Sequence, residues 1–196
     1  MSRESVAMGL RVKTGRAIAV LVSGTARKPR VLSRREVTLF DPAVPHSDQP
    51  YHVALELGEK RAAPILARAL EAVRAAGRRE LGALAESLAA PSHELRGVGL
   101  VVGSLGDPAK LGNPHVRAHA LEGQLYWQVL DAAARELGLP CKVVTEKEIY
   151  ARASESLGVK PDALRAAVAE LGRAIGRPWG AEEKTAALAA WWALSD

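Results

Sequence analysis

Residues 97–104 read GVGLVVGS, a continuous apolar run between loop signals. A strand with one solvated face alternates apolar and polar side chains, whereas a strand covered on both faces does not. The run is therefore read as a central strand of a parallel sheet. Parallel neighbours cannot be joined by a tight hairpin and need crossover connections, usually helical. The remaining sequence must then provide helices for both faces of a sheet. With 196 residues, 48% of them hydrophobic, the chain has enough material for one domain with a real core, taken as residues 1–196.

The rest of the chain divides by period. Residues 11–22 read as a first strand with a basic bend at Lys13-Thr14-Gly15-Arg16, and residues 26–30 as a turn. Residues 31–40 alternate as a second strand, and residues 41–50, with three prolines, form a loop. YHVALEL, residues 51–57, alternates as a short third strand. The period then changes. Leu66, Leu70, Val73, Gly77, Leu81, Leu84 and Leu88 step by three or four residues along one helical stripe. Gly77 marks either a close approach or a break in it. After the central strand, Asn113 is an N-cap candidate with Pro114 at the first helical position, and Gly138 stops the helix. CKVVT, residues 141–145, is a fifth strand, followed by helices over residues 147–157, 161–175 and 181–194. Three sequential strands form an antiparallel meander, and the fourth and fifth join it by right-handed crossovers. This order, β-β-β-α-β-α-β-α, is that of the ribonuclease H-like fold. The expectation is an α/β protein with a five-stranded mixed sheet flanked by helices, and extra C-terminal helices.

From Gly97 onward the motifs resemble the YqgF branch of the RuvC-type, Holliday-junction-resolvase-like members of that superfamily. The fourth strand reads VVGSL where that branch has a VVGLP-type ending. Val116-Arg117-Ala118-His119-Ala120 resembles its VRAFA run, and Leu137 to Pro140 is its LGLP. Thr145-Glu146-Lys147 stands where the family has Asp-Glu-Arg. Glu183, ahead of Ala186 and Ala187, has the spacing of its last-helix Asp. The resemblance implies a nucleic-acid substrate and an acid-bound pair of metal ions. Two departures bear on that chemistry. The family's first-strand Asp-x-Gly is matched to Lys13-Thr14-Gly15, and its Asp after the fifth strand is Thr145. Two-metal catalysis needs converging carboxylates, and a lysine at the first position repels Mg²⁺. Glu146, Glu183 and Asp107 remain as the catalytic candidates, with Mg²⁺ or Mn²⁺ as the only cofactor and only if they cut.

GSLGDPAKLGNPHVRAH, residues 103–119, follows the carboxyl end of the central strand, where open α/β sheets bind ligands. Its glycines allow backbone N–H groups to approach an anion, and a helix N-terminus follows. Lys13, Ser104, Lys110, His115 and Arg117 are the nucleic-acid-binding candidates, with a plain crossover loop as the other reading. Lys13, Ser104, Glu146 and Glu183 are expected around one crevice. His115, His119 and Glu122 share a helical face at metal-ligand spacing. The zincin pattern needs Glu after the first His, and Val116 is there, so these histidines are assigned to polar surface or core roles and no metal ligand is assigned. Glu182 and Glu183 open the last helix, where its dipole favours acids in any case. Trp191 and Trp192 are adjacent and cannot face one core together. One is expected inside and the other against a partner or a neighbouring helix, which points to a homodimer.

Lys and Arg number 27 against 22 Asp and Glu, for a net charge of +5. That balance suits a polyanion, and a G+C-rich genome produces the same arginine bias. Cys141 is the only cysteine, which excludes an internal disulfide and a Cys-based zinc site, and it reads as core. No apolar run reaches the roughly 18 residues of a membrane span, and residues 1–10 lack a signal peptide's apolar stretch, so a cytoplasmic protein is expected. The leading reading is a nucleic-acid-associated ribonuclease H-like protein with a degenerate active site, binding structured RNA or DNA without cleavage. A metal-dependent nuclease using Glu146, Glu183 and Asp107 is the alternative, and a partner-binding scaffold assembling through its terminal helix is a third.

Overall fold

The computed structural model describes residues 3–88 and 92–195. The single domain expected over residues 1–196 therefore extends, at residues 1, 2, 89–91 and 196, outside the described residues. The apolar residues between Val6 and Val22 make two strands, not one. Strand β1 (Glu4–Lys13) and β2 (Arg16–Thr25) pair antiparallel as a hairpin, with Lys13 opposite Arg16. The intervening Thr14-Gly15 closes the turn, and Gly15 has a φ of +73°, a conformation glycine adopts without a Cβ penalty. The expected strand over residues 11–22 is corrected accordingly. What reads as a bend inside a strand is a chain reversal, and VAMGL before it belongs to the first of two buried strands. Strand β3 (Lys28–Thr38) pairs antiparallel with β2.

The third strand expected at residues 51–57 is instead a helix, α1 (His52–Leu57), separated by Gly58 from the long α2 (Glu59–Ser87). Seven alternating residues satisfy a short helix as well as a strand, since one buried Val53 is enough to seat it. Strand β4 (His93–Val102) is parallel to β1, and β5 (Cys141–Thr145) is parallel to β4. Between them α3 (Pro114–Glu136) starts at Asn113, whose side chain accepts hydrogen bonds from the His115 and Val116 amides. Helices α4 (Ile149–Leu157), α5 (Pro161–Leu171) and α6 (Ala181–Ala193) complete the chain. The sheet order is β3-β2-β1-β4-β5. This is the mixed five-stranded sheet expected, with its first three strands drawn from different residues.

Alternation along β1 divides the core. Val6, Met8, Leu10 and Val12 face α2 and α3, where they meet Leu81, Leu84, Tyr126 and Leu130. Ala7 and its neighbours face α6, with Val20, Val22 and Val101. Helix α6 is no appendage. It packs across β1, β2 and β4 and is apolar around most of its circumference. Its seat is made by two strand glycines. A Cβ on Gly9 would stand 1.8 Å from the Ala186 carbonyl oxygen, and one on Gly99 would stand 2.4 Å from that of Ala189. On the opposite face Gly77 is a close approach rather than a break, since a Cβ there would meet Val129 Cγ1 at 2.2 Å. No helix among the described residues is long and apolar enough to cross a membrane.

Candidate functional site

Because β1, β4 and β5 are parallel, their carboxyl ends meet at one edge of the sheet. A cleft of about 390 Å³ opens there between the strand ends and α3. Its lining includes Arg11, Lys13, Ser104, His119 and Trp127. Arg11 is the residue at its floor. Strand alternation directs it to the same face as Gly9, and its side chain is 2% exposed. One guanidinium nitrogen donates to the backbone oxygens of Val12 (2.9 Å) and Val101 (3.3 Å), and the other pairs with the Glu146 carboxylate. Glu146 is held beside the end of β4 by its own amide, which donates to the Val102 oxygen at 2.9 Å. Two N–H groups of cleft-lining residues, Arg11 Nε and Trp127 Nε1, are buried with no acceptor in the protein. Buried donors are seldom left so.

Lys13 lies at the cleft edge, 41% exposed, with its ammonium 3.5 Å from Glu182. Arg16 approaches the same carboxylate at 2.9 Å. Burial alone would raise the Glu182 pKa. The hydrogen bond and charge of Arg16, joined by Lys13, overcome that and hold it below the ordinary carboxylate range. Glu183, the acid singled out by its spacing, turns away. It accepts from the Gly180 amide at 2.8 Å and caps its own helix, with Arg34 3.9 Å off. Asp107 accepts from the Ala109 amide at 2.9 Å and starts a short 3-10 turn.

The crevice expected around Lys13, Ser104, Glu146 and Glu183 therefore assembles in part. Lys13 and Ser104 line the cleft, and Glu146 reaches it through Arg11. Glu183 sits on the adjoining helix end beside Glu182 but bonds to its own backbone. Ser104 Oγ accepts from the Gly106 amide and shapes the loop. Lys110 is exposed on the 3-10 turn, and Arg117 donates twice to the Leu111 carbonyl, bracing the loop on α3. Neither lines the cleft, and His115 stands in a separate histidine group. Glu146, Glu183 and Asp107 do not converge. Each is engaged elsewhere, and among the described residues no group of three ligand-type side chains includes any of them. A two-metal centre does not fit this acid set: Glu146 is paired with a buried guanidinium, and Glu183 and Asp107 bond backbone amides.

The sequence does not single out Arg11, and it gives Glu182 only a helix-dipole role. The apolar residues flanking Arg11 were the available signal, since an arginine inside a buried strand needs a partner.

No protein-family model matches the chain, and no curated protein sequence matches it. Among solved structures it is similar to Thermus thermophilus RuvC in complex with a Holliday junction substrate, with a TM-score of 0.51 at 12% identity over 96% of this chain and 91% of that one. A second Thermus thermophilus RuvC structure gives a TM-score of 0.51 at 14% identity, over 95% and 92%. At this identity the likeness is one of fold. The chain is an α/β protein with a distant RuvC-type, ribonuclease H-like architecture.

Proposed function

We propose that this protein binds nucleic acid in the cleft at the carboxyl ends of β1 and β4 and does not cleave it. The observation that carries this reading is Arg11. A buried cation stands beside the strand ends and is paired with Glu146, an acid that a metal-dependent nuclease would need for its metal ions. The same arrangement suits a phosphate group. Lys13 supplies exposed charge at the rim, and the helix α3 N-terminus lies beyond the loop. The fold shared with RuvC, one of whose structures holds a Holliday junction, supports a branched or structured nucleic acid as ligand.

The test combines binding and cleavage. Labelled single-stranded, duplex and four-way-junction DNA, and a structured RNA, are titrated with the protein in EDTA, then incubated with it in Mg²⁺ and Mn²⁺. The expected result is binding in EDTA, weakened by Lys13→Ala, and intact substrate in both metals. Metal-dependent cleavage lost in Glu146→Gln would replace this reading with the nuclease. Failure to bind any of these at low salt would favour a protein-binding scaffold.

A further inference from the structure

On the outer wall of the cleft, three histidines from two separate elements meet. His52 begins α1, and His115 and His119 lie one turn apart on α3. Each offers a ring nitrogen within 4.8 Å of the other two. Beneath them is Glu122, 0% exposed. One of its oxygens bonds His52 Nδ1 at 2.7 Å, and the other has no hydrogen-bond partner in the protein and stands 3.7 Å from His119 Nδ1. His52 Nε2 is itself buried and without a partner.

We propose that His52, His115 and His119 form a binding site for Zn²⁺ or a similar divalent transition metal, with Glu122 as the carboxylate that orients His52. Four features fit that chemistry. Metal-ligating histidines characteristically donate the second ring N–H to a carboxylate, which fixes the tautomer and leaves the other nitrogen free. His52 has this arrangement, with Nδ1 on Glu122 and Nε2 open. His115 Nε2 and His119 Nε2 are 3.2 Å apart, and two nitrogens about 2.0–2.1 Å from a tetrahedral zinc ion stand about 3.3 Å apart. A buried carboxylate with an unengaged oxygen is costly unless positive charge lies close by, and a dication supplies it. The pocket is also built from outside the cluster. Tyr126 donates its hydroxyl to the Ser47 and Asp48 carbonyls at 2.8 and 2.7 Å, which ties the loop before α1 onto α3 and brings His52 to the other two.

Three nitrogens leave one tetrahedral position for water or an anion's oxygen. His119 also lines the cleft, so the ion would stand at its mouth. The ligand set does not depend on the nucleic-acid reading, since Arg11, Lys13 and Glu146 take no part in the contacts among His52, His115, His119 and Glu122.

The experiment uses untagged, metal-stripped protein titrated calorimetrically with ZnCl₂ and followed in parallel with Co²⁺ by visible absorption. Saturable binding of one ion per chain is expected, with the strong ligand-field bands of four-coordinate Co²⁺. His115→Ala with His119→Ala should abolish both signals. These two side chains are exposed on a helix where alanine is favourable, so the variant keeps the wild-type circular dichroism. Glu122→Gln should weaken binding by about 10- to 100-fold, the effect of removing an outer-shell partner. Absence of saturable binding overturns the proposal. So does equal affinity in the wild type and the double variant, which would put the ion elsewhere and leave the histidines as a hydrogen-bonded pair.

Discussion

Arg11 is fixed by two backbone carbonyls and by Glu146, and the three contacts contribute differently. The carbonyls hold the guanidinium in the floor of the cleft, while Glu146, 45% exposed, neutralises it from the solvent side. Removing that negative charge should therefore leave Arg11 in place and available to an anion. Glu146→Gln is expected to lower stability by about 1–2 kcal/mol, short of the full cost of breaking a buried pair because one partner is solvated. It should also tighten nucleic-acid binding in EDTA. Denaturant unfolding and binding titrations read the two effects, and unchanged or weaker binding would mean that Arg11 does not meet the ligand. Glu182 allows a pH test at the same edge. Its folded pKa lies below the unfolded one, so the stabilisation it gains from Arg16 and Lys13 is full above the ordinary carboxylate range. That stabilisation is lost as pH falls through the folded value. Glu182→Gln should cost up to about 1 kcal/mol at neutral pH, since Arg16 and Lys13 are both partly solvated. The gap to wild type should narrow as pH falls below the ordinary carboxylate range, in unfolding curves measured across that range.

Helix α6 carries Glu182 and Glu183 to the cleft edge, and its position is set by Gly9 and Gly99. The atoms that a Cβ would strike are backbone carbonyls, which cannot rotate aside. Gly9→Ala should therefore lift α6 from the sheet and cost about 3 kcal/mol, the upper end of ordinary overpacking. Gly82, inside α2, has nothing within 4 Å of a new Cβ. Gly82→Ala should instead gain about 0.5–1 kcal/mol by helix propensity. Paired urea unfolding of the two variants measures both, and a tolerated Gly9→Ala would show that α6 is loosely seated. Periodicity could recover α2, α3 and β5 because each buries a long, regular stripe or a complete short run. It could not separate β1 from β2, because the turn between them needs only two residues, and it could not distinguish α1 from a strand over six. The error at α1 also hid His52. Read as a strand, it had no reason to approach His115 and His119, and the metal-ligand spacing on α3 was left one ligand short. The alanine-rich sequence of α6 was visible, but its match to two glycines on different strands is a property of the folded sheet.

At the scale of the whole molecule, the net charge of +5 is spread widely rather than gathered at the cleft. Many arginines pair with acids on the outer surface, as Arg30 does with Glu4 and Arg78 with Glu136. The last helix is equally committed inward. Trp191 donates its indole N–H to the Ala26 carbonyl, and the part-buried Trp192 packs against Lys142 of β5. Composition suits a polyanion, and under the proposed function the contacts would fall on a few cations. Arg11 and Lys13 belong to the cleft, and Lys110 and Arg117 to the loop beside it. Each phosphate neutralised contributes about 0.7–0.9 to the slope of log affinity against log salt. If these side chains carry the binding, the slope should be no steeper than about −4. Lys13→Ala should make it shallower by about 0.7–0.9, with a similar loss of affinity across DNA and RNA ligands because a lysine–phosphate contact reads no sequence. Fluorescence-anisotropy titrations at several salt concentrations give both numbers. A much steeper slope, or one that Lys13→Ala leaves unchanged, would move the binding surface from the cleft to the arginine-rich exterior.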